Sequence, residues 1–126
     1  MCHQQHCMKI IFPEEVLIMC YKYKIIQDPK DGGGSFSTSK NEIVIGTRDL
    51  ATDSHYVWNV ICHEIIEATM AVMRFRYPDP SAEDNYKFFM DHKEFENAVS
   101  VASVALAQFR LLDDDTPAEV VVEEAN

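Results

Sequence analysis

The 126-residue chain has 47% hydrophobic and 25% charged residues, enough for one small domain with a single core, and no apolar run reaches the roughly 20 residues that span a bilayer. Its net charge is −10, but Asp113, Asp114, Asp115, Glu119, Glu123 and Glu124 supply six of those charges; the rest has 15 acidic and 11 basic side chains, a net of −4. That distribution excludes a basic nucleic-acid footprint and leaves an acidic DNA mimic resting on the tail alone. The segment Met1-Cys2-His3-Gln4-Gln5-His6-Cys7 lacks the basic and apolar regions of a secretory signal. The irregularly spaced Cys2, Cys7, Cys20 and Cys62 make a poor disulfide framework, so free thiols and a cytoplasmic location are expected.

In chain order, residues 8–26 alternate imperfectly between apolar and polar around Pro13-Glu14-Glu15, which predicts strands and leaves a helical turn open at Val16 to Cys20. Asp28-Pro29-Lys30-Asp31-Gly32-Gly33-Gly34 reads as a loop, because consecutive glycines are entropically costly inside an element. Glu42 to Thr47 is a short β-branched run of strand length. Thr52, Asp53 and Ser54 can each cap a helix, and Val57, Ile61, Ala68 and Val72 then recur at helical spacing, which predicts a helix over about 54–76. Tyr77-Pro78-Asp79-Pro80-Ser81 ends it, and Tyr86 to Met90 reads as another strand. Asp91 with Glu94 forms a capping box, so a second helix begins at His92 and runs through Phe109 to near Leu112. The acidic tail from Asp113, with Pro117, reads as disordered, although Val120-Val121-Val122 could dock. The expected fold class is α+β: a small sheet, one site-bearing helix and a second, C-terminal helix, with residues 1–112 as one domain.

The chemistry concentrates in His63-Glu64-Ile65-Ile66-Glu67. Residues four apart share a helix face, so His63 and Glu67 can converge on one ion while Glu64 points beside it. A catalytic zinc takes three protein ligands and leaves a position to water, whose pKa it lowers to about 7. His92, opening the next helix, is the candidate third ligand, and Glu64 is the candidate general base that later delivers a proton to a leaving amine. Iron suits two histidines and a carboxylate as well as zinc does. The apolar Val60, Ile61, Ile65, Ile66 and Ala68 around these groups favour an ion over a plain polar stripe. Asp91 reads as a cap, Glu96 as an exposed glutamate, and Cys62 as inert packing. Cys2, His3, His6 and Cys7 match no standard zinc-finger spacing. His55 and Tyr56 lie about two turns before His63, awkwardly for oxyanion stabilisation, so no electrophilic group is assigned. Trp58, Met70 and Met73 fit helix packing.

His63-Glu64-Ile65-Ile66-Glu67-Ala68 resembles a variant of the zincin metallopeptidase helix, whose usual form is His-Glu-x-x-His. The span Asn41 to Arg110, with Ile43-Val44-Ile45-Gly46, Cys62-His63-Glu64-Ile65-Ile66-Glu67-Ala68 and His92-Lys93-Glu94-Phe95-Glu96, is similar to small zincin-like proteins of phages and prophages. The resemblance implies a minimal zincin-like fold, a zinc or other divalent metal at His63, Glu67 and His92, Glu64 as catalytic carboxylate, and a peptide or protein substrate. In such folds an exposed strand edge receives an extended peptide, a role open to Glu42–Thr47 or Tyr86–Met90. No nucleic-acid or membrane partner is expected. The competing reading is a metal-stabilised interaction or regulatory protein that turns nothing over.

Overall fold

The computed structural model describes residues 8–81 and 85–113. The terminal Cys/His peptide and the acidic tail after Asp113, including Val120 to Val122, lie outside the described residues. The elements run β1 (Met8–Ile11), β2 (Glu15–Ile18), β3 (Tyr21–Asp28), β4 (Gly34–Ser37), β5 (Glu42–Gly46), α1 (Ser54–Val72), β6 (Arg76–Pro78), β7 (Tyr86–Phe88), α2 (His92–Leu106) and β8 (Arg110–Asp113). The fold class is therefore α+β, and no helix among the described residues is long and apolar enough to cross a membrane.

A four-stranded sheet in the order β2-β3-β5-β4 carries the core. β2 and β3 form a hairpin with Ile18 opposite Tyr21, β3 and β5 run parallel with Ile25 beside Ile43, and β4 lies antiparallel to β5 with Phe36 opposite Ile43. Alternation along the strands buries Val16, Ile18, Tyr23, Ile25, Ile43 and Ile45, the period-2 pattern of a sheet covered on one face. Onto that face α1 lays Val57, Val60, Ile61, Ile65 and Ala68, a stripe at helical spacing. β5 is thus an interior strand and offers no free edge. The edge on this side of the sheet is β4, whose run of small and polar residues gave little strand signal.

Two further pairings frame the sheet. β1 pairs antiparallel with β8, and the Met8 amide donates to the buried Ser54 hydroxyl at 3.0 Å, fastening the N-terminal strand to the start of α1. β6 pairs antiparallel with β7. The stretch after Leu106, expected to continue as helix to about Leu112, turns at Ala107 and becomes β8 because β1 supplies a strand to pair with. Phe109 marks that turn, buried edge-to-face against both Phe12 and Trp58. Asp91 accepts from the Glu94 amide and the Glu94 carboxylate in turn accepts from the Asp91 amide, the expected capping box.

α1 also stops earlier than the predicted position 76. The Phe75 amide donates to the Met70 carbonyl at 2.8 Å and the Arg74 amide to the Ala71 carbonyl at 3.1 Å, with Arg74 at φ 66°. These two bonds are a Schellman termination, in which a left-handed residue satisfies the last carbonyls. An exposed arginine occupies the position glycine usually takes, and buried Phe75 anchors the reversal. Left-handed backbone costs a residue with a Cβ about 1–2 kcal/mol, whereas glycine avoids that strain and loses part of the gain to unfolded-state entropy. Arg74→Gly should accordingly raise stability by up to about 1 kcal/mol in urea unfolding; a loss of stability would show that the Arg74 side chain contributes more than the strain costs.

Candidate metal centre

Midway along α1, His63, Glu64 and Glu67 present ligand atoms that all lie within 4.8 Å of one another, the group among the described residues with a metal-binding arrangement. His63 Nε2 is 3.4 Å from Glu67 Oε2 and 3.9 Å from Glu64 Oε2. Two donors bound tetrahedrally at 2.0–2.1 Å from one zinc stand about 3.4 Å apart. The His63–Glu67 pair already matches that separation, and Glu64 sits just outside it. An imidazole nitrogen and carboxylate oxygens are the donor types a borderline divalent ion accepts.

The three side chains differ sharply in environment. His63 is 67% exposed, Glu67 is half-buried, and Glu64 is 6% exposed. Glu64 is buried because β4 passes over it at Gly34: a Cβ there would stand 2.9 Å from Glu64 Cγ and 2.9 Å from Val60 Cγ1. Glycine is needed at this strand position for close backbone approach, not for an unusual φ. Burial pushes the Glu64 carboxyl above the usual range; the Glu67 charge adds to the rise, while His63 and Arg76 oppose it.

β4, α1, β6 and β7 enclose a cleft of about 730 Å³ lined by Gly34, Ser35, Phe36, His63, Glu64, Glu67, Arg76, Asn85, Tyr86 and Phe88. A smaller, mainly apolar cleft of about 270 Å³ shares His63 and Glu67 and adds Ile66, Met70 and Phe88. Arg76 is the residue that sequence reasoning missed. Its Nε lies 3.4 Å from Glu67 Oε1, and its guanidinium carbon is 3.4 Å from the Tyr86 ring centroid and 5.0 Å from that of Phe36. On a helix continued to 76 it would have been a C-terminal surface cation; the Schellman reversal instead turns it back over Glu67.

His92, the expected third ligand, is not in the converging group. It opens α2 as predicted, but its side chain is 85% exposed and its Nδ1 lies 3.0 Å from Glu96, one turn along the same helix. Asp91 and Glu94 border Met73 and Arg74 at the end of α1, and from His63 to Met73 that helix advances roughly 15 Å. The start of α2 thus meets the wrong end of α1 to reach His63. Of the other residues considered, Tyr56 donates its hydroxyl to the Gly32 carbonyl at 2.6 Å, holding the glycine loop, and Cys62 is a partly buried free thiol whose pKa is raised by burial. That environment suits packing better than a thiolate.

Comparison with protein-family models, with curated proteins and with solved structures finds no match to this chain.

The raised Glu64 pKa fixes the sign of a pH effect. A carboxyl whose folded pKa exceeds its unfolded value, about 4.3 for glutamate, contributes stability below the unfolded value and loses it as pH rises through the folded one. In metal-free protein, Glu64→Gln should melt above wild type at pH 8, and the difference should shrink towards pH 4. A thermal-melt difference that stays constant with pH would contradict the assigned burial penalty.

Proposed function

We propose that this protein is a divalent-metal hydrolase, with zinc the leading candidate, that cleaves an amide bond in a peptide or protein substrate. The observation that carries the reading is the convergence of His63 Nε2 and Glu67 Oε2 at 3.4 Å beside the buried Glu64, on the floor of an open cleft. His63 and Glu67 would hold the ion, which when bound supplies Lewis-acid polarisation to the water and the scissile carbonyl. Glu64 acts as the base. A carboxyl held above its ordinary pKa by burial is better matched to proton transfer near neutrality than a solvated one. As the water oxygen bonds to the carbonyl carbon, Glu64 takes the water proton; as the C–N bond breaks, it returns that proton to the departing nitrogen.

The edge strand supports a peptide substrate. Among the described residues β4 pairs with β5 on one side only, and its Gly34, Ser35 and Phe36 line the same cleft as the three ligand-type residues. An extended chain can add to such an edge through main-chain hydrogen bonds, bringing a backbone carbonyl across α1. The resemblance of the His-Glu-x-x-Glu helix to zincin metallopeptidases agrees with this role for β4, in place of Glu42–Thr47 or Tyr86–Met90, the two stretches to which sequence left it open.

The alternative assignment makes Glu64 a third ligand, completing the three protein ligands usual for zinc but leaving no base. That arrangement describes a metal-stabilised interaction protein. Elemental analysis and a peptide-cleavage assay on the same preparations separate the two. The hydrolase reading expects about one equivalent of zinc in wild type, loss of metal in His63→Ala and Glu67→Ala, and retention in His92→Ala. It further expects Glu64→Gln to keep its metal while cleavage falls by at least about 100-fold. Metal lost from Glu64→Gln would favour the non-catalytic site, and no zinc uptake by wild type would overturn both.

A further inference from the structure

We infer that Arg76 is a specificity residue that binds a carboxylate of the ligand occupying the cleft above His63 and Glu67. The inference rests on the hydrolase reading for its substrate and deepens it by assigning the chemical class recognised beside the reacting bond.

Three observations point this way. First, the guanidinium is only partly engaged. Its contact with Glu67 is a single one through Nε at 3.4 Å, longer than the 2.7–2.9 Å of a strong charge-assisted bond. Among the described residues neither Nη atom has a hydrogen-bond partner. Because Nε occupies one edge of the planar group, the fork formed by the two Nη atoms stays available, and that fork matches the two oxygens of a carboxylate.

Second, the guanidinium is held in place. Tyr86 lies against it at 3.4 Å and Phe36 at 5.0 Å, so strands on two sides of the cleft fix its plane, and the side chain is only 21% exposed. A solvated surface arginine loses considerable rotamer freedom on binding an anion. Here much of that ordering is already made by the fold, which favours binding. Removal from water also strengthens its attraction for an anion relative to an exposed cation.

Third, the position suits a substrate-binding group. Arg76 lines the cleft that contains His63, Glu64 and Glu67, with Asn85 and Ser35 adding neutral hydrogen-bonding groups around it. Glu67 links Arg76 through one oxygen to His63 through the other. A carboxylate held on the Nη fork would therefore occupy the same cleft as the place where His63 and Glu67 converge. With a divalent ion present, the charges of the ion and Arg76 exceed those of Glu64 and Glu67, and the excess positive charge favours an anionic ligand. The recognised carboxylate is either the free C-terminus of a peptide or an acidic side chain within one, two sources sharing one chemistry.

The test is binding, read by chemical-shift titration of labelled protein with and without added zinc. The probes are an N-acetylated alanine dipeptide with a free C-terminal carboxylate, the same dipeptide as its C-terminal amide, and an amide-capped dipeptide carrying one aspartate. The expected result is that at least one carboxylate probe binds wild type about tenfold more tightly than the neutral amide. Whichever carboxylate is preferred names the source. Arg76→Gln should abolish the preference and Arg76→Lys should reduce it, since lysine keeps the charge but not the fork. Unchanged binding of the neutral amide shows that each variant keeps its cleft.

Equal binding of all three probes to wild type in both metal states would overturn the inference. So would a preference that survives in Arg76→Gln, since the carboxylate would then be held by the ion or another group. Zinc measured on the same samples keeps the two readings apart. Arg76-dependent discrimination in a protein that takes no zinc would sustain the carboxylate site and remove the hydrolase, whereas zinc uptake without discrimination would remove the carboxylate site and leave the hydrolase to be decided by the cleavage assay.

Discussion

The burial of Glu64 beneath β4 is the constraint on which the rest of the site depends. A carboxylate with almost no water contact is costly unless a proton, a cation or hydrogen bonds compensate. Here the compensation is local: His63 at 3.9 Å and the Arg76 charge oppose the desolvation, and the carboxyl is left above its ordinary pKa. The arrangement exists because Gly34 has no side chain, which lets an edge strand lie directly on the helix that carries the acid. The same strand supplies the cleft wall and an unpaired edge among the described residues, so one glycine couples the tuning of an acid to the shape of the opening above it.

A second determinant is where α1 ends. Had the helix continued to position 76, Arg76 would have followed its surface into solvent. The left-handed Arg74 and the Phe75 anchor reverse the chain, and β6 brings the guanidinium back within 3.4 Å of Glu67. β7 then contributes Tyr86, which stacks on that guanidinium, and Phe88, which walls the apolar side. The two short strands are therefore best understood as the device that closes the site, since the larger core is complete without them.

The distances also set Glu64 apart from the His63–Glu67 pair, as helical spacing predicts. His63 and Glu67 approach to the separation of two ligands on one ion, while Glu64 stands slightly farther off and much deeper. In the proposed hydrolase, depth would separate the roles, because an acid or base benefits from desolvation whereas a ligand needs above all to be ionised and in reach. Phe95 and Val99, exposed beside a groove between α1 and α2, lie apart from the ligand group, whereas Ile66 also lines the apolar cleft that shares His63 and Glu67.

Sequence by itself determined the local features: the strand alternation of residues 8–26, the glycine loop as far as Gly33, with Gly34 instead opening β4, the helix that bears His63, Glu64 and Glu67, and the Asp91–Glu94 box that starts α2. Each is set by interactions a few residues apart, through side-chain periodicity, capping and backbone entropy. The convergence of His63 with Glu67 was legible for the same reason, since one helical turn fixes it. The tertiary structure alone decided what depends on partners distant in the chain. β8 is strand rather than helix because β1 lies beside it, and β4 rather than β5 is the edge because β3 takes the other side of β5. His92 is separated from His63 because α2 begins at the far end of α1, and Arg76 enters the site because that helix stops short. Spacing along a chain carries no information about such packing, which is set by how the helices and strands bury their apolar faces together.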